Sequence, residues 1–221
     1  MGFVRNRYSG GWMIEGIAMR LEKDNVTREE VIRFYAGYDR RKKGQHLPLS
    51  DMDAWPWDDP RGLDLKLEAN GLKHGVLAAY RTWGLVEFGV TDLLECAVYN
   101  GIFRGEPQAL SQLILRGKLD GWSPDRDTDW WQPIREGSVL GVDSALIARP
   151  SVRSEEPARW YFEDGSGRAL ALLQRILRYS DVGRTCWVYL GREPDQRSIF
   201  IRDRPELRDE GLGWGRLLRI R

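Results

Sequence analysis

The stretch Arg159–Ile176, RWYFEDGSGRALALLQRI, sets two acids, a Gly-Ser-Gly and an arginine in immediate succession. The aromatic run before them reads as a strand ending at Glu163 and Asp164. On the far side Ala169, Leu170, Leu172, Leu173, Ile176 and Leu177 recur at helical spacing, which predicts a helix over Arg168–Tyr179 with those residues on its buried face. The first turn of a helix carries N–H groups without intrahelical partners, and a glycine lead-in lets an anion approach them closely. Ser166 adds a hydroxyl and Arg168 a permanent positive charge, so Gly165, Ser166, Gly167 and Arg168 have the makings of a phosphate cradle. The same residues also suit a plain strand–helix connection whose glycines admit positive φ. Beside a phosphate, Asp164 or Glu163 would hold Mg²⁺ or take a proton from a hydroxyl nucleophile. Strand alternation sends the two acids to opposite faces, so only one of them faces the loop; a solvated acid at a strand end is the alternative. Two familiar phosphate loops are excluded. A Walker A lysine is lacking, and Leu170 stands where a dinucleotide fingerprint needs Gly or Ala.

Other candidate chemistry is thinner. Cys96 and Cys186 form no CxxC pair, which argues for a reducing compartment without a disulfide framework or structural zinc. His46 and His74 lack metal-ligand spacing. Asp125, Asp127, Asp129 and Glu136 follow calcium-loop spacing, but Trp130 and Gln132 occupy positions that need Gly and an aliphatic residue, so the stretch reads as a polar connection. Arg40, Arg41, Lys42 and Lys43 form a basic cluster suited either to phosphate backbone or to a solvated helix end. With 34 Lys+Arg against 33 Asp+Glu, the net charge of +1 gives no reason to invoke a polyanion or an anionic membrane. No apolar run approaches a membrane-spanning length, and a cytoplasmic protein is expected.

Several elements must position the loop. Thr27-x-x-Glu30 is a capping box for a helix that places Val31, Ile32, Phe34 and Tyr35 on one side. The segments 71–89 and 91–103 read as two further helices, and 106–117 as a third with Pro107 near its start. After the breaker-rich loop 120–133 the runs become short, apolar and aromatic around a single helix. The expected class is α+β: a mainly helical portion over 1–118 and a small mixed-sheet portion over 119–221, divided at that loop.

With the strand, Asp164-Gly165-x-x-Arg168 and the Ala/Leu-rich helix in view, residues 137–191 resemble the ParB/sulfiredoxin superfamily. There a strand leads into G-E-R-R in ParB proteins, G-C-H-R in sulfiredoxins and D-G-H-x-R in the free-serine kinases of the fold. Gly165 and Arg168 match all three patterns and Asp164 the kinase version; ALIARPSVR and TCWVYLG resemble the flanking strands. The resemblance implies a loop that binds nucleotide phosphates, with ATP or another nucleotide and Mg²⁺ as cofactors. Its expected activity is phosphotransfer to a small hydroxylated metabolite, with Asp164 or Glu163 as metal ligand or base. The alternative is a ParB-like nucleotide- or DNA-binding module without catalysis. Ser166 stands at the sulfiredoxin cysteine, which excludes sulfinic-acid reduction by that thiol. Ser166 and Gly167 together stand at the positions that define each family activity.

Overall fold

In a computed structural model of the chain, the described residues are 4–5, 12–14, 17–42, 52–72, 76–98, 108–119, 122, 134, 136–137, 140–150 and 158–194. The calcium-loop aspartates, both histidines, Pro107, Lys43 and the C-terminal stretch after 194 lie outside them, as do the side chains of Arg40, Arg41 and Lys42.

The chain forms two compact units, Met1–Asp24 with Gly84–Leu190, and Asn25–Trp83 with Gly191–Arg221. This division differs from a boundary at 120–133, because the segments around that loop share one core. Among the described residues, nine strands contribute wholly or in part to the first unit: β1 (Val4–Arg5), β2 (Trp12–Ile14), β3 (Ile17–Thr27), β4 (Tyr80–Phe88), β5 (Cys96–Val98), β6 (Gln108–Ala109), β7 (Leu146–Pro150), β8 (Trp160–Asp164) and β9 (Cys186–Pro194). Their order is β1-β2-β3-β4-β9-β7-β8-β5-β6. The sheet is mixed: β5 runs parallel to β8 and β7 parallel to β9, whereas β7 and β8 are antiparallel. The class is therefore α+β, as the alternation of short strands and helices implies.

Among the described residues, the segment 71–89, expected to be helical, is largely strand, and 91–103 is divided between helix and strand. Among the described residues there, Val76–Ala79 (α3) and Val90–Leu94 (α4) are helix, and Tyr80–Phe88 and Cys96–Val98 are the strands β4 and β5. The cause is burial on both faces. Trp83, Leu85, Val86 and Phe88 are all buried, so β4 shows a continuous apolar run without the alternation that marks a half-exposed strand. At β5, pairing with β6 and β8 supplies what local propensity lacks. Among the described residues, the first 118 carry six of the nine strands together with five helices.

Helix α5 (Leu110–Leu115) follows β6, and α6 (Ser166–Tyr179) joins β8 to β9. Ala169, Leu170, Leu172, Leu173 and Ile176 of α6 are buried with Phe88, Leu93, Leu110, Leu113, Trp160, Phe162 and Val188 in one core. Each fully buried Leu or Phe contributes about 1.5–3 kcal/mol. Leu177, expected on the same face, is exposed because the last turn of α6 runs past the core.

In the second unit α1 (Arg28–Lys42) starts at the capping box that its sequence announces. Thr27 N–H donates to Glu30 Oε2 at 3.0 Å and Glu30 N–H to Thr27 Oγ1 at 3.2 Å. Helix α2 (Pro60–Ala69) is capped by Asp59, which accepts from Arg61 N–H at 3.0 Å, with Pro60 at its first position. Val31, Ile32, Met52, Trp55, Leu63, Leu67 and Trp83 are buried. The stacked pair Trp55 and Trp57 lies beside α1, where the Arg33 guanidinium covers Trp57.

Gly89 is the N-cap of helix α4. Asp92 occupies the third helical position and its Oδ2 accepts from Gly89 N–H at 2.9 Å. Its Oδ1 is buried without a hydrogen-bond partner among the described residues. Burial raises the Asp92 pKa above the usual carboxylate value, opposed by the Gly89 N–H bond, and Glu95 adds to the rise. The fold thus favours the neutral acid. The stability this gives is present in full below the unfolded pKa and is lost as pH rises through the folded one. Asp92→Asn keeps the acceptor for Gly89 and removes the charge. We expect its stability relative to the parent to improve steadily as pH rises from 3 to 7, read from urea unfolding; a pH-independent difference would show that Asp92 is as easily ionised folded as unfolded.

Candidate functional site

The D-G-x-x-R stretch forms the corner where β8 turns into α6. Gly165 has φ +85°, in the left-handed region open to glycine, and its carbonyl accepts the Ala169 N–H at 3.0 Å as the first helical bond. Side chains on a helix tilt toward its N-terminus, so Arg168, in the first turn, folds back beneath the corner. Its guanidinium donates to Asp164 Oδ2 at 2.7 Å, to Ser144 O at 2.7 Å and to Ala145 O at 3.0 Å. The side chain is 2% exposed. Arg168 therefore ties three elements together: the end of β8, the start of α6, and the 3₁₀ turn Val142–Ser144 that leads into β7.

This packing gives Gly165 a second reason to be glycine. A Cβ there would lie 2.6 Å from Leu146 Cδ2 and 2.9 Å from Arg168 Nη2. The glycine frees the turn and also makes the space in which the guanidinium lies.

The two acids are less equivalent than strand alternation suggests. Ile147 pairs with Asp164 and Ala148 with Phe162, which leaves Glu163 as the extra residue of a β-bulge. Glu163 accepts from Arg149 Nε at 2.7 Å, and the Arg149 guanidinium also covers the Tyr161 ring at 4.6 Å. Asp164 pairs with Arg168 and keeps its side chain 25% exposed. Each acid thus has its own arginine.

The six expected site residues fall into three groups. Asp164, Gly165 and Arg168 come together as a brace. Ser166 and Gly167 lie partly exposed on the first turn of α6. Glu163 is held apart by Arg149. Sequence reasoning gives Ser144, Ala145, Leu146 and Arg149 no part in the site; the last three enter it only as members of the flanking strand ALIARPSVR. The i,i+4 spacing of Asp164 and Arg168 was a legible signal for an ion pair.

No family model, curated protein or solved structure matches the chain. The chemistry of the corner rests on its own geometry.

Among the described residues, no group of three or more His, Cys, Asp or Glu side chains is arranged to hold a metal ion, and no helix is long and apolar enough to cross a membrane. Cys96 and Cys186 are buried, and desolvation pushes both thiols well above their usual pKa, so neither supplies a thiolate at neutral pH. What the corner offers is a fixed turn, the start of a 14-residue helix, a hydroxyl and a partly exposed carboxylate.

Proposed function

We propose that the chain binds a nucleotide or a similar phosphorylated small molecule at the Asp164–Arg168 corner, as a ParB/sulfiredoxin-like binding module. One observation carries the reading: the left-handed Gly165 opens a long helix at two small, partly exposed residues, Ser166 and Gly167, and the turn is locked from below by Arg168. The first-turn N–H groups and the helix dipole both favour an anion there. Arg168 would act by holding the turn in shape; its bonds to Asp164, Ser144 and Ala145 direct its donors into the protein.

A phosphotransferase reading of the same corner draws on the partial exposure of Asp164. Mg²⁺ is commonly held by one or two carboxylates together with substrate phosphates, and Asp164 is the acid suited to that role. Mg²⁺ would supply charge neutralisation for a transferring phosphoryl group. Glu163, bonded to Arg149, fits the role of base less well.

The substitution Ser166→Asp separates ligand binding from folding. A carboxylate at the first helical position complements the dipole and raises stability by about 0.5 kcal/mol. It also places a negative charge where a phosphate would sit. We expect ATP, ADP or CTP to raise the melting temperature of the parent, by about 2.7 kcal/mol of stabilisation at a hundredfold excess over Kd. The variant should melt at or above the parent and lose the nucleotide response. A parent that ignores all three nucleotides at millimolar levels, with and without Mg²⁺, overturns the proposal. Nucleotide consumption in the presence of hydroxylated metabolites distinguishes transfer from binding alone.

A further inference from the structure

The far end of α6 carries a feature that phosphate binding does not use. The segment Arg175–Arg184, RILRYSDVGR, holds three arginines and a single acid. Asp181 bonds Arg184 Nε at 2.6 Å and lies 3.8 Å from Arg175 Nε. Arg184 Nη1 also donates to Gly137 O at 2.7 Å. Gly137, at φ +115°, is a close neighbour of both guanidinium groups: a Cβ there would lie 2.9 Å from Arg175 Nη2 and 3.3 Å from Arg184 Nη2. The two cations are thus fixed in place before any partner arrives, which lowers the entropic cost of binding. Glu136, exposed beside Gly137, leaves the corner net positive.

Around these charges the apolar side chains point outward. Leu177 is 45% exposed, Tyr179 56% and Val182 67%. Ser180 ends the helix in the left-handed region at φ 54°, which turns the chain so that Val182 follows Tyr179 onto the surface. Arg178 is exposed between Leu177 and Tyr179. Tyrosine and arginine are among the residues enriched at protein-binding centres.

We propose that this end of α6 docks an acidic protein segment carrying apolar side chains. Its carboxylates would meet Arg178 and the Arg175–Arg184 pair, and its apolar residues would cover Leu177, Tyr179 and Val182. A nucleic acid fits less well. The Arg175 and Arg178 guanidinium groups already lie over the Tyr179 ring, at 5.0 and 5.5 Å, where a stacking base would need an open face. The aliphatic pair Leu177 and Val182 also offers nothing to a phosphate backbone.

The test uses the full chain and three labelled probes followed by fluorescence anisotropy: a short peptide of alternating Glu and Leu pairs, the same peptide with Gln for Glu, and a single-stranded oligonucleotide of mixed sequence. The parent should bind the Glu peptide about tenfold or more tightly than the Gln peptide, and weaken with added salt. Arg178→Glu and Val182→Asp should each reduce that affinity by about tenfold or more with at most a small drop in melting temperature, which at Arg178 comes from an anion at the helix C-terminus. Equal binding of the two peptides, no binding of either, unchanged binding by both variants, or tighter binding of the oligonucleotide would overturn the proposal.

Discussion

Arg168→Met should lower the unfolding free energy by about 2–4 kcal/mol, since a buried acceptor left without its donor costs about 1–3 kcal/mol and the partly exposed Asp164 also loses its cation. The methionine fills much of the volume but leaves Asp164 Oδ2 and the Ser144 and Ala145 carbonyls without the donor they share. Arg168→Lys should recover less than half of the loss, since one ammonium cannot reproduce a planar fork aimed at acceptors on separate segments. Paired with Asp164→Asn, Arg168→Met should be non-additive by about 1–3 kcal/mol, because the two side chains are in direct contact. Urea unfolding measures all of these, provided the slope with denaturant is unchanged. If Arg168→Met left stability within about 0.5 kcal/mol of the parent yet abolished a nucleotide response, the guanidinium would be a ligand contact and its place beneath the turn would be refuted.

Gly165→Ala carries the second large effect, and Gly71→Ala is its internal control. Both glycines have positive φ, +85° and +74°, but a Cβ at Gly71 meets nothing within 4 Å. Gly71→Ala should therefore show the backbone cost alone, about 1 kcal/mol. Gly165→Ala adds the collision with Leu146 and the Arg168 guanidinium, and should cost about 2–4 kcal/mol. Combining Gly165→Ala with Arg168→Met should recover part of the loss, since the smaller requirement for space beneath the turn goes with the guanidinium. Equal costs at the two glycines would mean that the corner relaxes freely around a methyl group.

These effects also bear on the nucleotide assay. A variant that loosens the corner loses binding together with folding, so Arg168→Ala cannot by itself report a phosphate contact. Ser166→Asp changes the charge at the mouth of the turn while leaving the brace intact, and for that reason it is the informative substitution.

What was legible in the sequence was local. The Thr27–Glu30 capping box, Pro60 opening α2, and the helix at Arg168–Tyr179 are written in neighbouring residues, because a helix satisfies its backbone within one short segment. The glycine and arginine of EDGSGR were legible too, and so was their dependence on a tight turn. The strand character of Tyr80–Phe88 and Cys96–Val98 was not, because strands find their hydrogen-bond partners elsewhere in the chain and these two are buried on both faces. The bulge that isolates Glu163 depends on the register with β7. Above all, the direction of Arg168 was not legible: the sequence reading sets its charge toward a phosphate, whereas its donors are bonded to Ser144 O, Ala145 O and Asp164. The residue order puts glycine and arginine in one turn. The fold brings the Ser144 and Ala145 carbonyls beneath that turn and so fixes which way the charge points, because a buried guanidinium lies where its donors find acceptors.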